Sequence, residues 1–549
     1  MRLDELSAGL AAEATGDLGV PGDAASPSAA AAGGTEIKGL AYDSRTVRGG
    51  ELFFCVSGFQ RDGHDFAPQA VAAGAAALVV ERPLGLGVPE VRVASARAAM
   101  APIAARFYGD PTSQMRVVGV TGTNGKTTTA YLVRALLEAV GEQCGLLGTV
   151  TSIVGGRERP VTRTTPEAID LQAEFRTMLD GGDRACAIEV SSHALELGRA
   201  DATHFSAGVF TNLTQDHLDF HDTMEDYFQA KRRLFAEHRP GVGVVNVGDS
   251  YGARLAGEIE GAVTFAVEPP GGAGEATAVG ADGASTGGPS ADYRAVDVRC
   301  DFGGCRFQLR SPSGTREVRL PMPGRFNVAN ALGALAAVHA LGFELEPLIG
   351  ALERGVHVPG RFEPVEEGQD FAVLVDYAHT PDSLENVLEA ARALVEPDRG
   401  ESMRSEEAPG GPGGRVLCVF GAGGDRDRGK RPLMGEIAAR LSDVTFVTSD
   451  NPRSEDPEQI IAEIMAGVAR VPVAADPGAN GEGGVPRVRS IADRAIAIDE
   501  AIGAARAGDV LVIAGKGHEQ GQEFAGGRKV PFDDATVARK ALRMRRSGS

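Results

Sequence analysis

The sequence predicts an α/β protein built on parallel sheets and divided into several domains. Three observations carry that expectation. Short apolar, β-branched runs alternate repeatedly with longer helical patterns, as in chains that form parallel sheets. The 549 residues exceed the roughly 250–300 at which a single core stops growing, so three or four domains are expected. The apolar run MRVVGV enters a Gly-containing turn and leaves as a helical pattern, GVTGTNGKTTTAYLV, giving strand, turn and helix in immediate succession.

A first block extends to about Ser113, with strands in ELFFCVSG and AAALVVE and the polar YDSRTVRGG between turns. The second opens at MRVVGV and continues through ACAIEV, SAGVFTNL and VGVVNV. It then passes a more polar section, VRCDFGGCRFQLR and TREVRLPMPG, and a helical segment, NVANALGALAAVHALG. The third begins near His357 and carries four strand candidates, FAVLVDYA, RVLCVFGA, DVTFVTSD and DVLVIAGK, each ending in polar residues. Open parallel sheets bind ligands beyond the carboxyl ends of their strands, so chemistry is expected there. Four Gly/Ala/Pro/Ser-rich stretches, Ala11 to Gly34, Glu268 to Ala291, Pro397 to Gly414 and Ala474 to Val485, lack apolar periodicity and read as surface insertions or mobile loops. No fixed-period repeat is present.

With 55 basic and 75 acidic side chains the net charge is -20, which opposes attraction to a nucleic-acid backbone. The N-terminus, MRLDELSAGLAAEATGDLG, is acidic and lacks the continuous apolar core of a secretory signal. No segment reaches the roughly 18–20 uninterrupted apolar residues of a membrane span. A soluble, cytoplasmic protein, monomeric by default, is the expectation. Cys55, Cys144, Cys186, Cys300, Cys305 and Cys418 follow no metal-ligand spacing and read as buried, reduced thiols.

In TGTNGKTT, successive backbone N–H groups and a helix N-terminus can surround phosphate oxygens, Lys126 supplies a point charge, and Thr127 a hydroxyl suited to Mg²⁺. The usual G-x-x-x-x-G-K-[ST] pattern wants glycine where this chain has Val120. The next strand ends in EVSSHAL, placing Glu189 where a magnesium carboxylate belongs. NLTQDHLDFH adds Asp216, His217, Asp219 and His221; His217 reads as a magnesium or phosphate contact, Asp219 and His221 as structural groups. In DYFQAKRRLF, Lys231 faces Tyr227 and Phe235 at helical spacing, by itself the pattern of a solvated lysine with an apolar stem.

In the third block VDYAHTP, GAGGDRDRGKRP, SDNPRSEDP and AGKGHE all fall at strand ends. They bring Asp376, Arg426, Asn451, Arg453, Lys516 and Glu519 toward one rim. Arginines bind carboxylates bidentately and a carboxylate binds an ammonium, so such a rim suits a zwitterionic amino acid. GGDRDRGKR also reads as a second phosphate loop or a charged turn, and DNPRSEDP as a turn that starts a helix. A nucleotide site together with an amino-acid site points to ATP-driven amide synthesis through an acyl phosphate.

The motifs TGTNGKTTT, EVSSHAL, NLTQDHLDFH, YFQAKRRLF, PGRFNVANALGA, VPGRFEPV, DYAHTPDSL, GAGGDRDRGKRPLM, DNPRSEDP and AGKGHE, in that order, resemble the Mur ligase family over nearly the whole chain. The resemblance accounts for Val120, because the family's phosphate loop reads TGTNGKT. It implies three domains: an N-terminal UDP-sugar-binding domain over residues 1–113, a central P-loop-type ATP-binding domain with a mostly parallel sheet over 114–357, and a C-terminal Rossmann-like, amino-acid-binding domain over 358–549.

By the same resemblance, ATP is held by Thr121, Gly122, Thr123, Asn124, Gly125, Lys126, Thr127 and Thr128, with Asn330, Arg361 and Asp376. Mg²⁺ is surrounded by Thr127, Glu189, His217 and Lys231, the last carrying a CO₂-derived carbamate; the catalytic set is Lys126, Glu189, His217 and Lys231. Ser44, Thr164, Thr165, Ser191 and Arg199 match positions that hold UDP-N-acetylmuramoyl-L-Ala-D-Glu. Arg426, Asp450, Asn451, Pro452, Arg453, Gly515 and Glu519 match a diaminopimelate pocket, in which Arg453 would pair with the carboxylate that lysine lacks. A folylpolyglutamate synthetase-like ligase shares the ATPase logic but should lack DNPR. A nucleotide-dependent binding switch would bind ATP without making amino-acid-dependent phosphate.

Overall fold

A computed structural model describes residues 1–8, 34–58, 61–218, 220–269, 278–279, 285–286, 291–395, 414–471 and 487–547. Two compact units emerge. The first comprises Met1–Thr121, Gly141–Gly208 and Ala230–Gly241; the second comprises Gly122–Val140, Val209–Gln229 and Val242–Ser549.

The first unit opens with a four-stranded parallel sheet in the order Gly39–Ala41, Glu51–Phe54, Ala77–Val80, Glu90–Arg92. Ala77–Val80 is buried along its length. One face of the sheet packs Leu52, Phe54, Ala77 and Val79 with Met100, Ile103 and Ala104 of the helix Ala96–Phe107; the other packs Phe53, Leu78 and Val80 with Ala67 and Ala70. Burial on both faces is why these strands read as continuous apolar runs rather than as alternation. Farther along this unit, Arg116–Thr121, Ala185–Glu189 and Cys144–Leu147 lie side by side in parallel, and Ser152–Val154 and Arg157–Arg159 extend the sheet in antiparallel.

In the second unit, Val242–Asn246, Val263–Val267 and Tyr293–Asp301 run parallel and two antiparallel strands, Gly304–Ser311 and Gly314–Leu320, complete that edge. The apolar helix Arg325–Ala340 packs across them, with Phe265 touching Gly333. A separate six-stranded sheet has the order Glu363–Pro364, Ala372–Asp376, Val510–Ala514, Val416–Phe420, Val444–Val447, Val488–Ser490. All of its pairings are parallel except the first. Register fixes its chemistry: Asp376 lies opposite Ala514, and Phe420 opposite Val447. The loops that follow these strands therefore leave from one edge of the sheet.

Two expectations are corrected. Cys300 and Cys305 form a disulfide, whereas Cys55, Cys144, Cys186 and Cys418 are free and buried. The hairpin through Gly303 and Gly304 makes Cys300 and Cys305 direct cross-strand partners, with Cα atoms 4.0 Å apart, a consequence of register that spacing alone does not display. Lys231 is not a solvated lysine. It lies on the helix Met224–Ala236 with 1 % exposure, because that face of the helix carries Tyr227, Phe228, Leu234 and Phe235 inward. The four low-complexity stretches fall largely outside the described residues. Within the second, the pair Ala278–Val279 and Ser285–Thr286 is antiparallel.

Candidate functional site

The loop between Thr121 and Lys126 owes its shape to two glycines in the left-handed region, Gly122 at φ 145° and Gly125 at φ 84°. A Cβ on Gly122 would stand 1.9 Å from Thr211 Oγ1, and one on Gly125 2.2 Å from Asn330 Oδ1. No side chain fits at either position. The helix Lys126–Ala139 starts immediately afterward, so its first backbone N–H groups form the anion-binding end of the turn.

Neighbouring strands brace this loop through polar groups. Asn124 N–H donates to Asn212 Oδ1 at 2.9 Å, Thr211 Oγ1 donates to Asn124 O at 2.6 Å, and Thr123 N–H donates to Asn212 O at 2.9 Å. Lys126 Nζ donates to the carbonyls of Gly122 at 3.0 Å and Thr123 at 2.8 Å. The ammonium is thus folded over the turn that would hold phosphate. Arg361 Nη2 donates to Thr127 Oγ1 at 2.9 Å while its guanidinium stacks 4.7 Å over Tyr377. Asn330 lies 3.4 Å from Thr129 Oγ1. Arg361 also lines a cleft of about 900 Å³ with Asn327, His357, Phe362 and Phe371.

Asp376 is buried, and both its oxygens take backbone N–H groups, from Phe362 and Ala378, each at 2.7 Å. Burial nonetheless pushes its carboxyl above the usual range. His217 adopts φ 55°, and its ring meets Tyr227 edge-on at 6.0 Å. Beside it Asp216 is mostly enclosed. Burial opposes its charge, but His217, His379 and Lys430 outweigh burial and hold its carboxyl below the ordinary range. His221 is buried against the Tyr227 ring at 5.1 Å, and Asp219 lies outside the described residues.

The first unit gathers a different group. Glu189 is 1 % exposed, and its carboxylate takes Thr149 N–H at 2.7 Å and Thr149 Oγ1 at 3.1 Å. Thr149 Oγ1 lies 3.1 Å from Thr164 Oγ1. Thr165 Oγ1 donates to Glu189 O at 2.8 Å and takes Ser191 N–H at 3.1 Å. Glu189, Thr164, Thr165 and Ser191 therefore form one connected cluster, at the end of the strand Ala185–Glu189. Arg199 and Arg97 grip Glu167 at 3.0 and 3.3 Å. Ser44 stands apart from this cluster, donating to Gln69 at 3.0 Å.

At the six-stranded sheet, Lys516 is fully buried and donates to Asn451 Oδ1 at 3.0 Å and Glu519 Oε2 at 2.9 Å, with Asp450 Oδ1 at 3.5 Å. Asn451 Nδ2 donates to the same Glu519 oxygen at 2.8 Å. Gly515, at φ 118°, leaves a Cβ only 2.9 Å from Asp450 Oδ2. Arg453, at φ 50°, donates from Nη1 to Gly424 O at 2.8 Å and from Nε to Glu523 Oε2 at 3.2 Å. Arg426 is exposed and bonds only its neighbour Asp425 O, at 3.0 Å, among the described residues. Pro452 closes the turn behind Gly424. The next helix, Pro457–Val468, is capped by Asp456, while Ser454 turns away to Asp425.

Sequence reasoning missed Thr149, Asn212, Tyr377 and Glu523. Thr149, Asn212 and Glu523 act on partners 40, 88 and 70 residues away, and Tyr377 on Arg361 across a turn, with no local pattern to mark any of them. Among the described residues, no cluster of three His, Cys, Asp or Glu stands ready for a metal.

Comparison with known proteins gives three family matches in chain order: Mur ligase family, catalytic domain, over residues 36–108; Mur ligase middle domain, over 120–338; and Mur ligase, glutamate ligase domain, over 360–517. The UDP-N-acetylmuramoyl-L-alanyl-D-glutamate–2,6-diaminopimelate ligase of Geobacillus kaustophilus (strain HTA426) is 45 % identical over 524 residues, covering 93 % of this chain and 96 % of the relative. The protein of the same name from Streptomyces coelicolor (strain ATCC BAA-471 / A3(2) / M145) is 43 % identical, covering 94 % of each. A solved structure of a ligase so named superimposes with TM-score 0.63 at 30 % identity, covering 100 % of this chain and 99 % of the other. Folylpolyglutamate synthase of Mycobacterium tuberculosis, solved with ADP and AMPPCP, has TM-score 0.52 at 17 % identity, covering 82 % and 94 %, and shares the fold alone. On these matches, and on the order of its motifs, the chain belongs to the Mur ligase family.

Proposed function

We propose that this protein is an ATP-dependent ligase that joins diaminopimelate to the side-chain carboxylate of D-glutamate in UDP-N-acetylmuramoyl-L-Ala-D-Glu, releasing ADP and phosphate, in the synthesis of peptidoglycan precursors. The observation that carries this reading is the rim of the six-stranded sheet, where Arg453, Asn451, Lys516 and Glu519 set cationic and anionic groups side by side. Such a rim suits an acceptor bearing both carboxylate and ammonium. The names of the near-full-length relatives support it.

The division into a UDP-sugar-binding domain over 1–113, an ATP-binding domain over 114–357 and an amino-acid-binding domain over 358–549 is part of the reading. The order of the three family matches supports it.

The loop amides from Thr121 to Thr128 and the Lys126 ammonium would hold the ATP phosphates, with Asn330, Arg361 and Asp376 toward the nucleoside. Glycines that admit no Cβ at positions 122 and 125 let the loop backbone close around a phosphate, which supports that role. Mg²⁺ would be held by Thr127, Glu189, His217 and a carbamate on Lys231; the Thr149-fixed carboxylate of Glu189 suits a hard cation. When bound, the ion neutralises charge on the transferring phosphoryl group. Carbamylation would convert the buried Lys231 ammonium into an oxygen donor.

Ser44, Thr164, Thr165, Ser191 and Arg199 would hold the UDP-linked substrate so that its carboxylate meets the phosphoryl group. Arg426, the turn Asp450 to Arg453, Gly515 and Glu519 would orient the attacking amine toward the resulting acyl phosphate, which loses phosphate as the amide forms. The chain's own contribution is positioning and charge stabilisation. We read the enzyme as monomeric and cytoplasmic, with no nucleic acid among its partners, its net charge of -20 opposing attraction to a nucleic-acid backbone. No helix among the described residues is long and apolar enough to cross a membrane.

Mass spectrometry of a reaction holding the UDP-linked dipeptide, ATP, Mg²⁺ and meso- or LL-diaminopimelate tests the reading. A nucleotide-linked product heavier by one diaminopimelate less water is expected, with ADP in equal amount. ATP binding without that product from either isomer would contradict it and favour a nucleotide-dependent switch.

A further inference from the structure

Glu167 closes the segment RTTPE and stands at the N-cap of the helix Ala168–Asp180, yet its side chain makes no cap bond. A side-chain oxygen at that position ordinarily accepts a first-turn N–H. Here both oxygens go to arginines instead, Oε1 to Arg199 at 3.0 Å and Oε2 to Arg97 at 3.3 Å. Earlier in the same segment, Thr165 Oγ1 takes Ser191 N–H at 3.1 Å. The segment Arg163 to Glu167 thus touches the stretch Ser191 to Arg199 at both of that stretch's ends.

The pair is largely enclosed, with the Glu167 side chain 8 % and that of Arg199 15 % exposed. Arg199 Nε is buried and has no hydrogen-bond partner among the described residues. Burial pulls the Arg199 guanidinium below its usual range, and Arg163 and Arg97 add to that. Glu167 is the group that opposes it most. One carboxylate facing two arginines leaves positive charge over. The UDP-linked dipeptide brings anions that suit it, a diphosphate and glutamate carboxylates.

Resting on the reading of Arg199 as a contact for that substrate, we propose that Glu167 is a positioning residue, which holds the Arg199 guanidinium in place to receive an anionic group of the UDP-linked dipeptide. It makes no contact with the substrate itself, since both its oxygens are taken and a carboxylate repels an anion. Its effect therefore runs through Arg199. A guanidinium already held at one edge loses less freedom on binding, so the gain falls on affinity for the dipeptide and not on the chemical step.

The test is a double-mutant cycle of wild type, Glu167→Gln, Arg199→Ala and the double variant, with each of the three substrates varied in turn and thermal melting as the check on folding. Glu167→Gln is expected to raise KM for the UDP-linked dipeptide about tenfold, with kcat and the KM values for ATP and diaminopimelate within about twofold. In the Arg199→Ala background the same change should cost less than about twofold, because its route to the substrate is gone. An unchanged KM for the dipeptide overturns the proposal. So does an equal rise in all three KM values, or a tenfold cost that persists without Arg199. If Glu167→Gln melts too low to assay, Glu167→Asp takes its place with the same expected split: it keeps the charge and caps a helix well, but falls one methylene short of Arg199. Arg199→Ala with unchanged KM for the dipeptide refutes the reading of Arg199, and a wild-type enzyme that forms no product with diaminopimelate refutes the functional reading; each is distinct from the other outcomes and takes the proposal with it.

Discussion

Lys516 reaches Asn451 Oδ1 at 3.0 Å and Glu519 Oε2 at 2.9 Å from a position with no solvent exposure. A lysine so placed cannot serve as a surface charge. It holds together the amide and carboxylate that the acceptor would meet, and it fixes the Asn451 amide so that Nδ2 points to Glu519.

Lys516→Met is therefore expected to raise KM for diaminopimelate at least about tenfold while leaving the affinity for ATP within about twofold. Stability should also fall, by about 2 kcal/mol. That is below the roughly 3–5 kcal/mol of a fully enclosed pair, because the Glu519 side chain is 29 % exposed and rehydrates in part. Steady-state kinetics with each substrate varied in turn, together with denaturant titration, check both parts.

Gly125→Ala tests the phosphate loop. The added methyl would meet Asn330 Oδ1 at 2.2 Å, at a backbone φ of 84°. Loss of ATP binding by at least about 30-fold is expected in calorimetry, from two strained features each costing about 1 kcal/mol or more. The acceptor sheet is built from other strands and should keep its thermal stability.

Acid sensitivity should concentrate where Arg431 is buried between Glu455 and Glu463, at 2.7 Å from each. Its hydrogen bonds to Glu455 lower that carboxyl to about 2. A folded-state value below the ordinary one contributes stability that is fully present above about pH 4.5 and is lost as pH falls toward 2. Glu455→Gln should melt at a lower temperature than wild type at pH 7, and the two melting curves should converge between pH 4.5 and 2. Parallel curves across that window would rule the pair out as an acid-labile tie.

Much of this architecture is legible in the residues. FAVLVDYA, RVLCVFGA, DVTFVTSD and DVLVIAGK each yield a buried parallel strand, because a run apolar on both faces has few other places to go. Their polar ends then share one rim by topology. What spacing does not display is partnership over distance. Thr149 fixes Glu189 from 40 residues away, Glu523 steadies Arg453 from 70, and Asp382 takes Asn124 Nδ2 from 258. The disulfide between Cys300 and Cys305 depends on hairpin register, and the burial of Lys231 on which helix face turns inward. Both are decided by packing, which a local pattern records only in part.

The most direct test of the functional reading is phosphate release from ATP and Mg²⁺ with UDP-N-acetylmuramoyl-L-Ala-D-Glu, comparing meso-diaminopimelate, LL-diaminopimelate and L-lysine as acceptors. Release that depends on a diaminopimelate isomer and is at least about a hundredfold slower with lysine is expected from the Arg453 contact, since a site built for a charged group strongly rejects an acceptor lacking it. Equal release with lysine, or none with any acceptor despite bound ATP, would contradict it.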